Sequence, residues 1–261
     1  MSNLYRSSLL TLSAAVSLSV LTTCISTTNT PAITVSAAAS LQSPLKAIKA
    51  AYEETSETTI TYTFGSSGSL TQQIAQGAPV DLILSASDYW INELSEQNLT
   101  ETNTHTCLLT NSLVLIVPQS STATTQFKDI HSDPFIKIAV GEPNSVPVGQ
   151  YAQEAFTFFN LPDSLNAQLV YGRDARQVLT YVETENAAAG VVYVTDAQAS
   201  NQVRIVDTAP ARSHSPINYL AAIIKDSKHP ETTQNFLNFL SSQTAQTIFE
   251  RHGFIPTQTC L

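Results

Sequence analysis

Residues 58–85 read TTITYTFGSSGSLTQQIAQGAPVDLILS, and this stretch determines the fold class. Alternating β-branched and aromatic residues at 58–64 predict a strand. A helix is predicted at 69–76, because Gly77 follows it and glycine commonly ends helices. The apolar run 80–85 predicts a second, buried strand. A strand, a helix and a strand in succession normally give two parallel neighbouring strands, so this stretch predicts an α/β fold.

The same alternation of strands and helices continues on both sides of this stretch. Further strands are predicted at 32–37, 107–118, 136–140, 168–171, 189–194, 203–207 and 217–225, and further helices at 41–55, 88–97, 148–160, 175–184, 230–241 and 242–253. The two longest apolar runs, 107–118 and 217–225, each join one βαβ module to the other. This arrangement predicts a chain that crosses to a second lobe and returns. One continuous doubly wound sheet is the alternative.

We therefore expect two lobes. Lobe I comprises residues 32–110 and 218–261, and lobe II comprises residues 111–217. Each lobe is expected to be a mixed, mainly parallel sheet flanked by helices, with the two crossover strands as the hinge. The chain has 261 residues, which is enough for two interlocked lobes or for one large α/β domain.

The N-terminus predicts export. Arg6 supplies a positive charge ahead of the apolar residues 9–21, which are too few for a comfortable membrane span. The two threonines and Cys24 that follow resemble a bacterial lipoprotein cleavage site. Residues 1–24 are therefore interpreted as a signal segment, Cys24 as the lipidated residue and residues 25–31 as a tether. Ordinary signal cleavage and an uncleaved anchor are the alternatives. We expect the protein in the periplasm or on the outer face of the membrane, held there by a lipid anchor.

The composition argues against two classes of protein. Hydrophobic residues make up 43% of the chain and charged residues 13%, which is unlike a disordered chain. The formal net charge of −9 argues against a nucleic-acid-binding protein, since such proteins need clustered Lys and Arg. The same acidic charge would repel a free anion at long range. Any anionic ligand must therefore be held by local dipoles and oriented donors.

Two cysteines follow the predicted signal segment, Cys107 and Cys260. An even number of cysteines in an oxidising compartment favours a disulfide, which would hold the C-terminus to lobe I. Two unpaired thiols are the alternative. The sequence has no Cys/His spacing that is typical of a metal site.

Small residues and uncharged donors follow the predicted strands in both lobes. Ser40 lies where a helix N-cap is expected, and the turn 65–68 (GSSG) combines glycines with hydroxyl donors. In lobe II, residues 146–151 (VPVGQY) and 174–176 (DAR) open helices, and Tyr193 ends a strand. Ligands of open α/β sheets bind at such strand ends, and each helix N-terminus carries roughly half a positive charge. A pocket of donors without acceptors suits a fully deprotonated tetrahedral anion, which has acceptors only.

Six stretches of the chain carry a family resemblance. They are ITVSAAASL (33–41), TFGSSGSLTQQIAQGAPVDLILSAS (63–87), LLTNSLVLIVP (108–118), AVGEPNSVPVGQYAQEA (139–155), GVVYVTDA (190–197) and IFERHGF (248–254). In order and spacing they resemble the molybdate-binding proteins of bacterial molybdate ABC transporters. The resemblance covers the chain from about residue 32 to residue 254.

The resemblance implies a two-lobed periplasmic-binding-protein fold of type II that closes around molybdate or tungstate. It implies that the side chains of Ser40, Ser67 and Tyr193 and the backbone N–H groups of Val148 and Ala175 bind the oxyanion. Molybdenum would be held only as its oxyanion, with no metal ligated directly and no cofactor. The protein would be a monomer that delivers the ligand to an ABC permease with its ATPase.

An enzyme is not expected. The sequence has no G-x-S-x-G motif, so it lacks the usual setting of a serine nucleophile. The histidines follow no strand end that is assigned to the cleft; they are His105, His131, His214, His229 and His252. Arg176 matches a family position and is interpreted as structural rather than as a ligand contact. The alternative function is a binding protein for another tetrahedral oxyanion such as sulfate. Phosphate binders often need an acceptor for the proton of the ligand, and none is among the expected contacts.

Overall fold

The computed structural model describes residues 31–133 and 136–260. The predicted signal segment, Cys24 and the tether up to residue 30 lie outside the described residues. The strands are β1 Ala32–Ala38, β2 Thr59–Gly65, β3 Leu82–Ser85, β4 Thr106–Thr110, β5 Leu113–Pro118, β6 Ile138–Gly141, β7 Leu169–Gly172, β8 Ala189–Tyr193, β9 Val203–Thr208, β10 Asn218–Ile223 and β11 Ile255–Pro256.

The helices lie between these strands, mostly where the sequence predicts them. They are α1 Gln42–Glu53, α2 Ser67–Ala75, α3 Asp88–Glu96, α4 Pro147–Phe158, α5 Ala175–Glu183, α6 Val194–Gln198, α7 Pro230–Leu240 and α8 Gln243–Arg251. The sequence does not predict α6 or β11, which are only five and two residues long. Across the described part of the chain, no helix is both long and apolar enough to span a membrane.

The strands form two separate sheets, which excludes one continuous doubly wound sheet. The first sheet has the strand order β11-β4-β10-β3-β1-β2, and the second has the order β7-β6-β8-β5-β9. The chain leaves the first sheet after Thr110 and enters the second at Leu113. It leaves the second sheet after Thr208 and returns to the first at Asn218. Lobe I is the part of the structure around the first sheet, and lobe II is the part around the second.

Both sheets are mixed, but less parallel than the sequence predicts. β1 pairs in parallel with β2 and β3, and β6 pairs in parallel with β7 and β8. The other pairings, three in lobe I and two in lobe II, are antiparallel. All the antiparallel pairings involve β4, β5 or β10. These three strands lie next to the two connections between the lobes. Of the three, β5 and β10 run antiparallel to the strands of the βαβ units.

The first connection between the lobes is short and irregular rather than a continuous crossover strand. The apolar run 107–118 is interrupted at Asn111 and Ser112, and the strands on either side belong to different sheets. The Asn111 Oδ1 atom accepts a hydrogen bond from the Ser112 N–H at 2.9 Å, so the asparagine side chain supports the break in the strand.

The return connection, residues 209–217, is also irregular, and β10 begins only after it. The two connections are joined by backbone hydrogen bonds. Asn111 N donates to the Ile217 carbonyl at 3.2 Å, and Ala209 N donates to the Leu113 carbonyl at 2.9 Å. The two connections therefore lie side by side and link the lobes as one narrow hinge.

Helices cover both faces of each sheet. In lobe I, Ile83 packs with Leu70 and Ile91 of α2 and α3 on one face. Its neighbours Leu82 and Leu84 belong to the cluster on the other face, because successive side chains of a strand point to opposite sides. In lobe II, α5 covers one face and α4 the other. The carboxyl ends of the parallel strands and the helix N-termini beyond them face the gap between the lobes.

A disulfide joins Cys107 of β4 to Cys260, with the two Cα atoms 5.5 Å apart. β11 pairs with β4 beside it, so backbone hydrogen bonds also hold the C-terminal segment in lobe I. The crosslinked residues are 153 positions apart in the sequence. A crosslink across so long a loop restricts the unfolded chain strongly.

Candidate functional site

The five residues that the sequence predicts as oxyanion contacts line one small cavity between the lobes. Its lining comprises Ala38, Ala39, Ser40, Gly65, Ser66, Ser67 and Ala86 of lobe I and Val146, Pro147, Val148, Ala175 and Tyr193 of lobe II. The structure therefore brings the five predicted residues together from five separate strand ends.

Ser40 is buried at the end of β1, with 4% of its surface exposed. The sequence predicts a helix N-cap here, and that prediction is wrong. Ser40 lies inside a 3-10 turn, Ala39–Leu41, and makes no capping hydrogen bond. Its Oγ instead lies 2.9 Å from the hydroxyl of Tyr219 on β10. The hydroxyl is therefore not used to cap a helix.

Two serines at the end of β2 have different roles. Ser66 is the N-cap of α2: its Oγ accepts from Ser69 N at 3.2 Å and donates to Ser69 Oγ at 2.8 Å. Ser67 is fully buried, and its Oγ accepts a hydrogen bond from Ala86 N at 3.0 Å. Ser67 Oγ accepts at this bond rather than donating, so the Ser67 proton can donate into the cavity.

Lobe II contributes the starts of two long helices. Pro147 is the first residue of α4 and has no N–H, so Val148 presents the first N–H of that helix to the cavity. Gly149 allows this helix to begin so close to β6, because a Cβ there would lie 2.1 Å from the Gly141 carbonyl oxygen. Ala175 is the first residue of α5, and its helix is capped from the preceding Asp174. The first N–H groups of a helix have no partner within the helix, so both residues offer free donors.

Tyr193 ends β8 and is buried, with 1% of its surface exposed. Among the described residues, its hydroxyl has no hydrogen-bond partner. Burial raises the pKa of this hydroxyl well above its ordinary value, so it stays protonated. A buried hydroxyl without a partner is costly, and an anion in the cavity would satisfy it.

The cavity is neutral in side-chain charge but rich in donors. No Asp, Glu, Lys or Arg is among the residues that line it. The N-termini of α2, α4 and α5 each contribute roughly half a positive charge toward it. The arrangement can hold an anion without a buried cation, whose desolvation would be costly, and despite the net charge of −9.

The lobes are in contact around the cavity. Gly68 N in lobe I donates to the Ser145 carbonyl in lobe II at 3.0 Å. The Tyr151 hydroxyl of lobe II donates to the Ala86 carbonyl of lobe I at 3.2 Å. A Cβ at Gly68 would lie 2.6 Å from the Ser145 carbonyl oxygen, so the absence of a side chain permits this approach. The structure therefore shows a closed arrangement of the lobes.

Arg176 lies outside the cavity and links the lobes. Its Nη2 donates to Ser43 Oγ at 2.6 Å across the gap, and its Nε lies 3.6 Å from Asp196 Oδ1. Asp196 is 1% exposed, and among the described residues neither carboxylate oxygen has a hydrogen-bond partner. Burial raises the pKa of Asp196 to about 7, against the opposing effect of Arg176. Sequence reasoning missed this buried carboxyl group, which only the packing of α6 reveals.

Sequence reasoning also missed Tyr219 and Asn111, which stand directly behind Ser40. Asn111 Nδ2 donates to the Tyr219 hydroxyl at 3.4 Å and to Thr195 Oγ1 at 2.9 Å. The interruption of an apolar run by Asn111 is a signal in the sequence, whereas Tyr219 reads as an ordinary strand residue.

None of the five histidines lines the cavity. Over residues 31–133 and 136–260, no group of three or more His, Cys, Asp and Glu side chains is placed to hold a metal ion.

Comparison with known proteins agrees with this architecture. The sequence model of the family "Bacterial extracellular solute-binding protein" matches residues 33–255. A Bacillus subtilis (strain 168) protein, whose name describes an ABC transporter substrate-binding lipoprotein, is 43% identical over 224 residues, covering 85% of each chain. The molybdate-binding protein of Haemophilus influenzae is 38% identical over 229 residues, covering 85% of this chain and 89% of that one.

The fold is also shared with a solved structure. The periplasmic molybdate-binding protein of Azotobacter vinelandii superposes with a TM-score of 0.78 at 20% identity, covering 87% of this chain and 100% of that one. The family model spans nearly all of the described chain, and both of the sequence relatives named above exceed 30% identity over most of its length. The chain therefore belongs to the bacterial extracellular solute-binding protein family.

Proposed function

We propose that this protein binds molybdate, and also tungstate, in the cavity between its lobes and delivers the anion to an ABC permease with its ATPase for uptake. The observation that carries the proposal is the lining of the cavity, which offers hydroxyl and helix-start N–H donors from both lobes and no charged side chain. Molybdate and tungstate are tetrahedral dianions without a proton at neutral pH. All four of their oxygens are acceptors, which matches a pocket of donors.

The proposed contacts are the hydroxyls of Ser40 and Ser67 from lobe I, and the N–H groups of Val148 and Ala175 with the Tyr193 hydroxyl from lobe II. Hydrogen bonds to a charged group each contribute about 1.5–3 kcal/mol. Molybdenum is held through its oxygens in this scheme, so no protein atom ligates the metal. The role is binding for transport rather than catalysis, in keeping with the family.

The relatives support the choice of ligand. The Haemophilus influenzae relative is named as a molybdate-binding protein and aligns over most of both chains. The Azotobacter vinelandii structure supports the fold alone, because the sequence identity is low. Sulfate has the same charge and shape as molybdate but is smaller, so the anions must be distinguished by measurement.

The proposed mechanism is closure of the lobes on the anion. Lobe I would comprise residues 32–110 and 218–261, and lobe II residues 111–217, with the paired connections at Asn111 and Ile217 as the hinge. Because donors come from both lobes, the anion makes all its contacts only in the closed form and shifts the population toward it. The permease would recognise that closed form.

We place the protein outside the cytoplasmic membrane as a monomer, held by a lipid on Cys24 and the tether 25–31. The Bacillus subtilis relative, whose name describes a lipoprotein, supports this placement. In cells, Cys24→Ala is expected to move the protein from the membrane fraction to the soluble fraction. An unchanged membrane fraction would contradict lipidation at Cys24.

Isothermal calorimetry of the purified mature protein against sodium molybdate, tungstate, sulfate and phosphate tests the proposed ligand. We expect saturable one-to-one binding of molybdate and tungstate, and at least hundredfold weaker binding of sulfate and phosphate, which corresponds to about 2.7 kcal/mol. Tight binding of sulfate alone would replace the proposed ligand. Absence of binding by all four anions would overturn the proposal.

A further inference from the structure

Ser40 belongs to a chain of hydrogen bonds that continues away from the cavity. Its Oγ lies 2.9 Å from the Tyr219 hydroxyl, which in turn lies 3.4 Å from Asn111 Nδ2. The same nitrogen lies 2.9 Å from Thr195 Oγ1. The chain thus runs from lobe I through the first connection to lobe II. Ser40 and Tyr219 are 4% and 1% exposed, so solvent does not compete for these bonds.

The direction of the protons along this chain follows from the donor and acceptor chemistry. Asn111 Oδ1 accepts from the Ser112 N–H at 2.9 Å, which fixes the orientation of the amide and turns Nδ2 toward Tyr219. An amide nitrogen only donates. Within the described residues, the groups at hydrogen-bonding distance from the Tyr219 hydroxyl are Ser40 Oγ and Asn111 Nδ2. The Tyr219 proton therefore has one acceptor, Ser40 Oγ.

This direction leaves the Ser40 proton for the cavity. The Ser40 oxygen receives the Tyr219 proton, so its own proton points away from Tyr219. Burial raises the pKa of Tyr219 well above its ordinary value, and the tyrosine keeps its proton. Ser67 Oγ likewise accepts a hydrogen bond, from the Ala86 N–H. Both serines of lobe I thus accept from protein donors and can offer their own protons to an anion.

We propose that Tyr219 and Asn111 are positioning residues that direct the Ser40 proton toward an anion in the cavity. The inference rests on the proposed oxyanion site and specifies how one of its donors is oriented. Because the Tyr219 hydroxyl donates to Ser40 Oγ, the Ser40 hydroxyl does not spend its own proton on Tyr219.

A double-mutant cycle tests this role. Molybdate affinity is measured by calorimetry for the wild type, Tyr219→Phe, Ser40→Ala and the double variant. We expect Tyr219→Phe to weaken binding about tenfold in the wild-type background, because the Ser40 proton is no longer directed. We expect less than a twofold effect in the Ser40→Ala background, where there is no hydroxyl to direct. Equal losses in both backgrounds would show that Tyr219 acts only through packing and would overturn the inference.

Tyr62→Phe is the matched control for the cycle, since it removes a buried tyrosine hydroxyl on β2 that has no partner within the described residues. Its molybdate affinity is expected to stay within about twofold of the wild type, because Tyr62 does not line the cavity. A tenfold loss in Tyr62→Phe would show that removing any buried tyrosine hydroxyl weakens binding, and would contradict a specific role of Tyr219.

A second variant keeps the test open if Tyr219→Phe does not fold. Asn111→Ala lets the Tyr219 hydroxyl accept from Ser40, and we expect a loss of molybdate affinity that again disappears in the Ser40→Ala background. A loss that persists in the Ser40→Ala background would contradict a role of Asn111 through this chain of hydrogen bonds. Failure of the wild type to bind molybdate would refute the proposed function instead, so the two failures are distinguishable.

Discussion

Gly68→Ala should separate ligand binding from folding. Gly68 lies in the first turn of α2 and approaches lobe II, where its N–H donates to the Ser145 carbonyl at 3.0 Å. An added Cβ would lie 2.6 Å from the Ser145 carbonyl oxygen and 2.8 Å from its Cα. These are backbone atoms and cannot move aside individually. The lobes must therefore stop short of the arrangement that the structure shows.

Incomplete closure weakens two interactions between the lobes and the anion. The Gly68–Ser145 hydrogen bond is worth about 1 kcal/mol, and one weakened contact between the anion and lobe II about 2 kcal/mol. Together they predict a molybdate dissociation constant that is roughly a hundredfold higher. The same Cβ would lie 2.7 Å from the Trp90 ring within lobe I, an overlap that costs about 1–3 kcal/mol against a helix propensity gain of about 1 kcal/mol for alanine. The unliganded protein should therefore lose no more than about 2 kcal/mol of stability.

Calorimetry with molybdate and thermal unfolding with and without the anion measure both effects. Without ligand, we expect the unfolding temperature of the variant to lie within a few degrees of the wild type. At the same molybdate concentration, the anion should stabilise the variant by about 2.7 kcal/mol less than it stabilises the wild type. Gln73→Ala, on the exposed side of the same helix, is the control and should bind as the wild type does. Wild-type molybdate affinity in Gly68→Ala would refute closure through this contact.

Three further predictions concern other parts of the molecule. Ser67→Ala removes a proposed donor and should weaken molybdate binding by about 1.5–3 kcal/mol in calorimetry, and an unchanged affinity would remove Ser67 from the site. Asp196 has a folded-state pKa of about 7 against an ordinary 3.8, so the folded protein holds a proton that the unfolded chain releases between these values. The free energy of unfolding should therefore fall by about 1.4 kcal/mol per pH unit as pH rises through this window, a slope that denaturant titrations should find missing in Asp196→Asn. Cys107→Ser breaks the disulfide with Cys260 and should lower the free energy of unfolding by about 2–5 kcal/mol, while reduction with dithiothreitol should have no further effect on the variant.

Local patterns in the sequence predict most of the fold. Helix α1 lies where Leu45, Ile48 and Tyr52 recur at helical spacing, and all three are buried. The run 107–118 is ambiguous, because uniform apolarity does not distinguish one long strand from two strands in different sheets. Asn111 supports the break between the two strands through its hydrogen bond to Ser112, and only the folded structure shows this bond.

The site residues on strand ends are also accessible from sequence, because parallel strands bring their carboxyl ends together. The role of each hydroxyl cannot be predicted from the sequence. Ser66 and Ser67 are adjacent and chemically identical. Ser66 nevertheless caps α2, whereas Ser67 Oγ accepts a hydrogen bond from Ala86 N. Tyr219 and Asp196 gain their roles from contacts between distant segments, and no local spacing marks them. Tertiary contacts of this kind set hydrogen-bond direction and pKa, so they remain hidden in the sequence.

In the proposed site, neutral donors from both lobes bind a tetrahedral dianion in one cavity. Anomalous diffraction at the molybdenum absorption edge, from crystals grown with molybdate, would locate the anion without reference to any other property of the protein. We expect a single molybdenum peak in the cavity, with oxygens at hydrogen-bonding distance from Ser40, Ser67, Val148, Ala175 and Tyr193. A peak outside the cavity, or one with a protein atom bonded to molybdenum, would contradict the proposed site.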